Sequence, residues 1–310
     1  MLLFLSVLPI VGFTQGFVPE NKNSELYKNT DTTIHVIDST AYTDVTLFNA
    51  SNYFNLLSGN LKESFTKPFH ATGKDWSNFG KFAILAVGVS FADKPIQKEG
   101  LEFSQKETSL NKVSTKISEL AGFSGIIIGL ATTGTVGLII KNEKLVNTTL
   151  LATQALITGS AITTSIKYLS GRRRPYSYLP SEEAKPTFMG PFSKPPNGNS
   201  FNNSFPSGHT TVSFAIATVF ASEYRDNNLV PIIAYSLATL VGVSRISENQ
   251  HWTTDVFTGA AIGYLSGKQA VKNYHQFSKK RADGKLKNSL SYTLNYSFGH
   301  WEPGMVLHLK

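Results

Sequence analysis

Residues 120–166 read LAGFSGIIIGLATTGTVGLII, then KNEK, then LVNTTLLATQALITGSAITTSI. Two uncharged runs, 120–140 and 145–166, flank a charged tetrapeptide. Each run is long enough to cross the ~30 Å hydrocarbon core of a bilayer as a helix. The short charged turn makes them an antiparallel pair. Gly125, Gly129, Gly134 and Gly137 suit close helix packing in lipid. Shorter apolar runs at 210–222, 229–244 and 256–267 predict further helices, and 76–91 has helically spaced Phe82, Leu85 and Val89 before a stop at Asp93-Lys94-Pro95. The fold class expected is all-α, a membrane-embedded bundle of about five or six core helices.

The flanks differ in character. Residues 1–16 open on a short apolar run that fits a signal-peptide core or an N-terminal anchor rather than a full span. Residues 17–74 are polar and predict a loosely packed leader, with a strand-like patch near 33–45 and a helix near 53–65. The helical domain is expected over 75–275. Residues 276–310 read as a basic linker and a small C-terminal β-hairpin, because Leu290, Tyr292, Leu294, Tyr296 and Phe298 alternate with polar residues and so do Met305, Leu307 and Leu309.

Composition narrows the chemistry. The chain has 310 residues, 41% hydrophobic and only 16% charged, which is low for a protein in water. Without a single cysteine, disulfides and thiol chemistry are excluded. The net charge of +8 points to an anionic substrate or anionic lipid. Nucleic acid fits poorly, since the basic residues are not interleaved with aromatics along a polar surface. No HExxH and no aspartate-rich loop stands in the sequence, so no metal and no cofactor is expected.

Three short stretches supply groups suited to phosphate. Lys167-Tyr168-Leu169-Ser170-Gly171-Arg172-Arg173-Arg174-Pro175 places two cations seven residues apart across a helix end broken by Gly171 and Pro175. Lys167 and Arg174 are read as clamps for phosphoryl oxygens, and Arg172 and Arg173 as a solvated basic turn or membrane flank. Pro206-Ser207-Gly208-His209 precedes a helical run; free N–H groups at such a start, near Ser207 and Gly208, form an anion site. His209 would sit at its rim, placed to protonate a leaving oxygen. Ser244-Arg245 adds a third cation, and His251 lies four residues before Asp255. In a first helical turn that spacing puts both on one face, so the carboxylate can fix the ring's tautomer and leave its other nitrogen free to attack.

The pattern Lys-x6-Arg-Pro, Pro-Ser-Gly-His, Ser-Arg-x5-His-x3-Asp resembles the signature of the type 2 phosphatidic acid phosphatase superfamily, which includes lipid phosphatases, class A acid phosphatases and vanadium haloperoxidases. Every signature position is matched, and the resemblance covers roughly residues 120–270. It implies His251 as a nucleophile forming a phosphohistidine, Asp255 as its orienter and His209 as general acid. Lys167, Arg174, Ser207, Gly208 and Arg245 would hold the phosphate, with no metal. The expected activity is hydrolysis of a phosphate or diphosphate monoester of a membrane lipid. A soluble periplasmic acid phosphatase and a vanadate-dependent haloperoxidase stand as alternatives.

The motifs fall at one end of an up-and-down bundle. Lys141, Lys144, Arg225 and the tail lysines fall at the other, which the positive-inside tendency makes cytoplasmic. The expected location is thus a bacterial-type cell envelope with the site facing the periplasm. Expected partners are the lipid substrate and the membrane, with no obligate protein partner. Residues 176–203, rich in Pro, Gly, Asn and Ser with Phe188, Phe192 and Phe201, are expected to form a loop beside the site that touches lipid.

Overall fold

The computed structural model describes residues 48–106, 108–178, 182–194, 202–282, 288–297 and 300–309. The apolar run at 1–16 and the strand-like patch at 33–45 lie outside them. The described residues hold nine α-helices, more than the five or six expected: α1 (Ala50–Thr66), α2 (Gly73–Ser90), α3 (Asp93–Ser104), α4 (Ser109–Leu120), α5 (Phe123–Ile139), α6 (Glu143–Ser170), α7 (Gly208–Glu223), α8 (Leu229–Ser247) and α9 (Thr253–Ala282). The surplus has a physical origin. Capping residues cut the upstream segment into separate helices, Thr72 with Asp75 starting α2 as a reciprocal box and Thr108 starting α4. Asp93-Lys94-Pro95, expected to stop a helix, begins α3, where proline is tolerated because the first-turn N–H has no intrahelical partner.

The fold class is all-α. The tail hairpin expected from the sequence is not counted in it. Asn288–Ser297 and His300–Leu309 run antiparallel as a two-stranded ladder, and no third strand joins them among the described residues. A two-stranded ladder on its own is marginal.

At the centre, α7 packs against α9, α6 and α8. Its contact with α9 is made by glycines. A Cβ added at Gly259, Gly263 or Gly267 would lie 2.5, 2.2 or 2.6 Å from Ser207 O, Thr211 O or Thr218 Cβ. This stripe lets two helix backbones approach closely. The glycines of α5 do less of this; a Cβ at Gly129 would meet nothing within 4 Å. Helix α1, placed in the leader by its sequence, is seated on α6 and α9. Its buried Asn60 Nδ2 donates to Gln154 Oε1 at 3.0 Å, and Gln154 Nε2 donates to Tyr53 O at 3.0 Å.

The distribution of polarity is inverted relative to a protein in water. Fully buried positions include Thr148, Gln154, Thr158, Thr163, Thr210, Thr211 and Thr218. Exposed positions include Trp76, Phe79, Ile84, Leu85 and Phe91 on and after α2, Ile128, Leu138 and Ile139 on α5, and Ile232, Ile233 and Leu237 on α8. By length and composition α6 and α8 can each cross a membrane, and α4 with α5, bent by 64°, would make a third span or a re-entrant pair. The alternation of helix directions brings the end of α6 and the starts of α7 and α9 to the end of α8. At the opposite end, Lys144 Nζ lies 4.6 Å from the Tyr224 ring centroid.

Candidate functional site

Helix α6 ends on Gly171, whose left-handed φ of 54° allows the chain to turn back; a Cβ there would also lie 2.0 Å from Gly190 O. The chain after it is clasped by backbone hydrogen bonds to the loop at 182–194. Arg173 N donates to Thr187 O, Met189 N to Gly171 O and Phe192 N to Tyr168 O. Phe188 and Phe192 of that loop are exposed, and Phe188 lies 4.9 Å from the Arg172 guanidinium; Phe201 lies outside the described residues. The clasp sends three consecutive arginines in three directions.

Arg174 points into the site. Its Nε donates to Asn203 Oδ1 at 2.8 Å and its Nη1 to Gln250 Oε1 at 3.1 Å. Lys167, in the last turn of α6, donates from Nζ to the carbonyls of Asn203 and Ser204. Arg245, in the last turn of α8, donates from Nη1 to Glu248 Oε2 at 2.9 Å. Each cation is held by the protein on one side. Nη2 of both arginines has no hydrogen bond among the described residues, so donors remain for an anion.

Helix α7 presents Ser207 as N-cap, then Gly208 and His209. No side chain caps it. The Ser207 hydroxyl instead accepts from Thr210 Oγ1 at 2.9 Å, and Ser207 N donates to Asp255 O at 2.9 Å. The first amides of the helix are therefore without a side-chain partner, the arrangement that attracts anions.

His251 is buried in the α8–α9 connection, two residues before α9 begins, rather than in the helix's first turn as the spacing suggested. Asp255 occupies the third position of α9, and its Oδ2 accepts from Trp252 N at 2.9 Å, so it caps the helix it belongs to. The same oxygen lies 3.3 Å from His251 Nδ1. The pairing survives because the capping turn, not a helical face, brings residues 251 and 255 together. Nε2 of His251 is left as the free nitrogen.

One assignment from sequence is overturned. Arg172, expected in a solvated turn, is 2% exposed. Its Nη1 donates to Asp255 Oδ1 and to Thr254 Oγ1, each at 2.6 Å, and its Nη2 to Asp93 Oδ2 at 2.6 Å. The backbone clasp turns this side chain inward, where only a carboxylate can balance it. Asp93, the first residue of α3 and fully buried, also accepts from Thr254 N at 2.9 Å and Thr254 Oγ1 at 2.7 Å. Ser204 Oγ donates to Asp255 Oδ2. Asp93, Arg172, Asp255 and His251 thus form one buried chain of alternating groups. Arg173 keeps its place near the surface, paired with Glu182 at 3.1 Å and donating from Nη2 to Ser177 O at 2.7 Å.

The electrostatics follow from burial and these contacts. Burial pushes the His251 imidazole well below its usual pKa, with Arg174 and Lys167 adding to the shift and the hydrogen bond to Asp255 opposing it. The ring is therefore neutral at physiological pH, with a lone pair on one nitrogen. Burial alone would raise the Asp255 carboxyl; the His251 hydrogen bond, Arg172 and Ser204 outweigh it and hold the group at about 2. His209 is lowered to about 4, first by burial and then by Arg245, Arg174 and Lys167. Both histidines therefore feel Lys167 and Arg174, which lie far from them in sequence. Among the described residues no cluster of His, Cys, Asp and Glu could hold a metal ion.

Behind the site stand Asn203, Ser204, Gln250 and Thr254, which the sequence reading passed over, and Asp93 and Arg172, which it gave other roles. None carries a local signal, apart from the adjacency of Arg172 to Arg174. Each acts by orienting a group that does.

The segment that carries these motifs is similar to known proteins. The model of the PAP2 superfamily matches residues 148–279, the segment that holds Lys167, Arg174, Ser207, Gly208, His209, Arg245, His251 and Asp255. A lipid A 1-phosphatase of Porphyromonas gingivalis is 47% identical over 66 residues, 21% of this chain and 15% of that protein. Lipid phosphate phosphatase 1 of Arabidopsis thaliana is 38% identical over 144 residues, 39% of this chain and 42% of that protein. The chain thus spans less than half the length of these curated relatives. Among solved structures, a transmembrane PAP2 type phosphatidylglycerolphosphate phosphatase from Bacillus subtilis aligns with a TM-score of 0.44 at 24% identity, over 68% of this chain and 96% of that one. Over residues 148–279 the chain is similar to the PAP2 superfamily.

Proposed function

We propose that this protein is a membrane-embedded phosphatase that hydrolyses a phosphate monoester of a lipid through a phosphohistidine on His251. The observation that carries the reading is the Asp255 contact to His251 Nδ1, which leaves Nε2 as the nucleophile beside Lys167 and Arg174. In the first step Nε2 attacks phosphorus and the P–O bond to the leaving group breaks. Protonated His209 gives its proton to the departing oxygen. In the second step neutral His209 takes a proton from water, the resulting oxygen attacks phosphorus, and the P–N bond breaks to release inorganic phosphate. Lys167, Arg174, Arg245 and the first amides of α7 hold the equatorial oxygens, where charge is greatest in the transition state.

His209 is neutral in the empty site at physiological pH. A phosphate dianion bound among the same cations offsets their effect and raises it, so substrate binding supplies the acid its proton affinity. The soluble alternative would require the exposed apolar side chains of α2, α5 and α8 to face water. In lipid the same side chains are matched to their solvent. With Lys141, Lys144 and Arg225 at the end opposite the motifs, the site faces away from the cytoplasm.

Phosphate release by purified protein, on lipid phosphates and on a water-soluble aryl ester, tests the activity. Lipid phosphates are expected to be preferred, vanadate to inhibit competitively, and His251→Ala to abolish turnover together with any acid-labile phosphoenzyme. Undiminished activity in His251→Ala refutes the mechanism. Because the chain has no cysteine, single cysteines placed at residues 144 and 189 can be labelled from one side of intact cells to read the orientation.

A further inference from the structure

Helix α6 has 28 residues, about 42 Å at 1.5 Å per residue, against ~30 Å for the hydrocarbon core of a bilayer. A span of that length carries its last turn, with Lys167, into the headgroup layer at the site end. An apolar patch stands on that turn. Leu169, Met189 and Phe192 are exposed, and the Phe192 ring stacks on Tyr168 with centroids 5.9 Å apart. Met189 and Phe192 belong to Phe188-Met189-Gly190-Pro191-Phe192, an uncharged tip between Lys185 and Lys194.

The backbone of this tip is held against its preference. Phe192 has a φ of 54°, the left-handed region that a residue with a Cβ adopts only at a penalty, and its side chain is nonetheless 63% exposed. Burial in the protein therefore does little to offset the strain, and an aromatic ring held outward in this way points to a partner outside the chain. The tip is also firmly mounted. Met189 N donates to Gly171 O at 3.1 Å and Phe192 N to Tyr168 O at 2.9 Å, while Arg173 pairs with Glu182 at 3.1 Å and Lys94 with Glu183 at 2.9 Å.

We propose that the tip is a foot seated in the bilayer surface, at the boundary of headgroups and acyl chains, and that it sets the height of Lys167 and Arg174 relative to the plane of lipid phosphates. The proposal rests on the phosphatase reading above, and it narrows the lipid contact expected across residues 176–203 to one element. The patch is continuous with the end of a membrane span, so the layer it meets is the one that surrounds that end. Its chemistry fits that layer: aromatic and thioether side chains enter the apolar boundary, and the flanking lysines stay among the phosphates. The clasp transmits the position. Arg173 N donates to Thr187 O at 3.1 Å, so the loop and the segment bearing Arg174 are tied together.

The test uses the full chain in vesicles of phosphatidylcholine and phosphatidylglycerol. Because the chain has no cysteine, Phe192→Cys and, as a control on the same loop, Glu183→Cys each accept one nitrobenzoxadiazole label. The label at 192 is expected to be quenched by lipids carrying a nitroxide near the top of the acyl chain and spared by iodide present on both sides; the label at 183 is expected to show the reverse. Iodide quenching at 192 overturns the proposal, and so does shielding from both quenchers, the mark of a second copy or another protein seated there. The functional arm uses Phe192→Gly with Met189→Ser, since glycine suits the left-handed backbone and removes the strain. This variant should melt no lower than the parent, keep its rate on a water-soluble aryl phosphate, and lose on the order of tenfold in kcat/KM on a lipid phosphate in vesicles, about the worth of burying one large apolar side chain. Equal loss on both substrates, or none on vesicles, overturns the foot while leaving the phosphatase reading intact. A parent that hydrolyses neither substrate refutes the phosphatase reading instead, and the label, which needs no turnover, still decides the seating.

Discussion

Replacing Arg172 by methionine tests whether the nucleophile's carboxylate depends on a buried cation. The guanidinium is 2% exposed and lies 2.6 Å from both Asp93 and Asp255, each fully buried. Methionine fills much of the same volume but leaves two carboxylates without their shared counter-charge. Removing one partner of a buried ion pair costs about 3–5 kcal/mol. The bonds that remain, from Thr254 to Asp93 and from Trp252 and Ser204 to Asp255, keep the cost from doubling. For a domain of this size that corresponds to roughly 6–20 °C in melting temperature, at about 2–4 °C per kcal/mol. Circular dichroism melts in one detergent, at matched protein concentration, give the measurement. The double variant Arg172→Met with Asp93→Asn supplies the internal control. It removes one of the two stranded charges, so it should melt above the single Arg172→Met variant despite carrying an extra change. Phosphate release should fall in both, because Asp255 loses the cation that helps keep it ionised. A single variant within about 0.5 kcal/mol of the parent, the range typical of a surface change, would refute the buried relay. So would strict additivity in the double variant.

Other measurements follow from the same geometry. His209 stands at about 4 in the free enzyme, so kcat/KM should fall as pH rises through that value, whereas the corresponding limb in kcat should lie higher because the bound dianion raises the group. His209→Asn should remove the limb and cost far less on an aryl ester whose leaving group departs without a proton. Asp255, held at about 2 against an ordinary value of 3.8, contributes stability that is fully present above pH ~4 and is lost as pH falls toward 2. Acid unfolding of Asp255→Asn should therefore show a flatter dependence between those limits than the parent. Gly263→Ala would set a methyl 2.2 Å from Thr211 O, forcing α7 and α9 apart at the centre of the bundle. Overpacking of this kind costs about 1–3 kcal/mol or more, visible as a lower melting temperature; an unchanged melt would refute the close approach.

What could be read from the chain alone was the chemistry and its order. Lys167, Arg174, His209, Arg245, His251 and Asp255 stand out as candidates because their spacings are local and cations, imidazoles and a carboxylate together suit phosphoryl transfer. The uncharged runs announced helices for the same reason, since a backbone in lipid must satisfy its own hydrogen bonds. Tertiary structure alone could decide between Arg172 and Arg173, which the sequence reading treats alike. Only the clasp of the chain after α6 by the loop at 182–194 turns Arg172 onto a buried carboxylate and leaves Arg173 near the surface. Asp93 shows the same limit. It reads as a helix stop, and becomes a buried partner of Arg172 and Thr254 only because α3 lies against α8 and α9. The apolar exterior with threonines inside likewise depends on which helix faces meet, and a periodicity states that a face exists without stating what it meets.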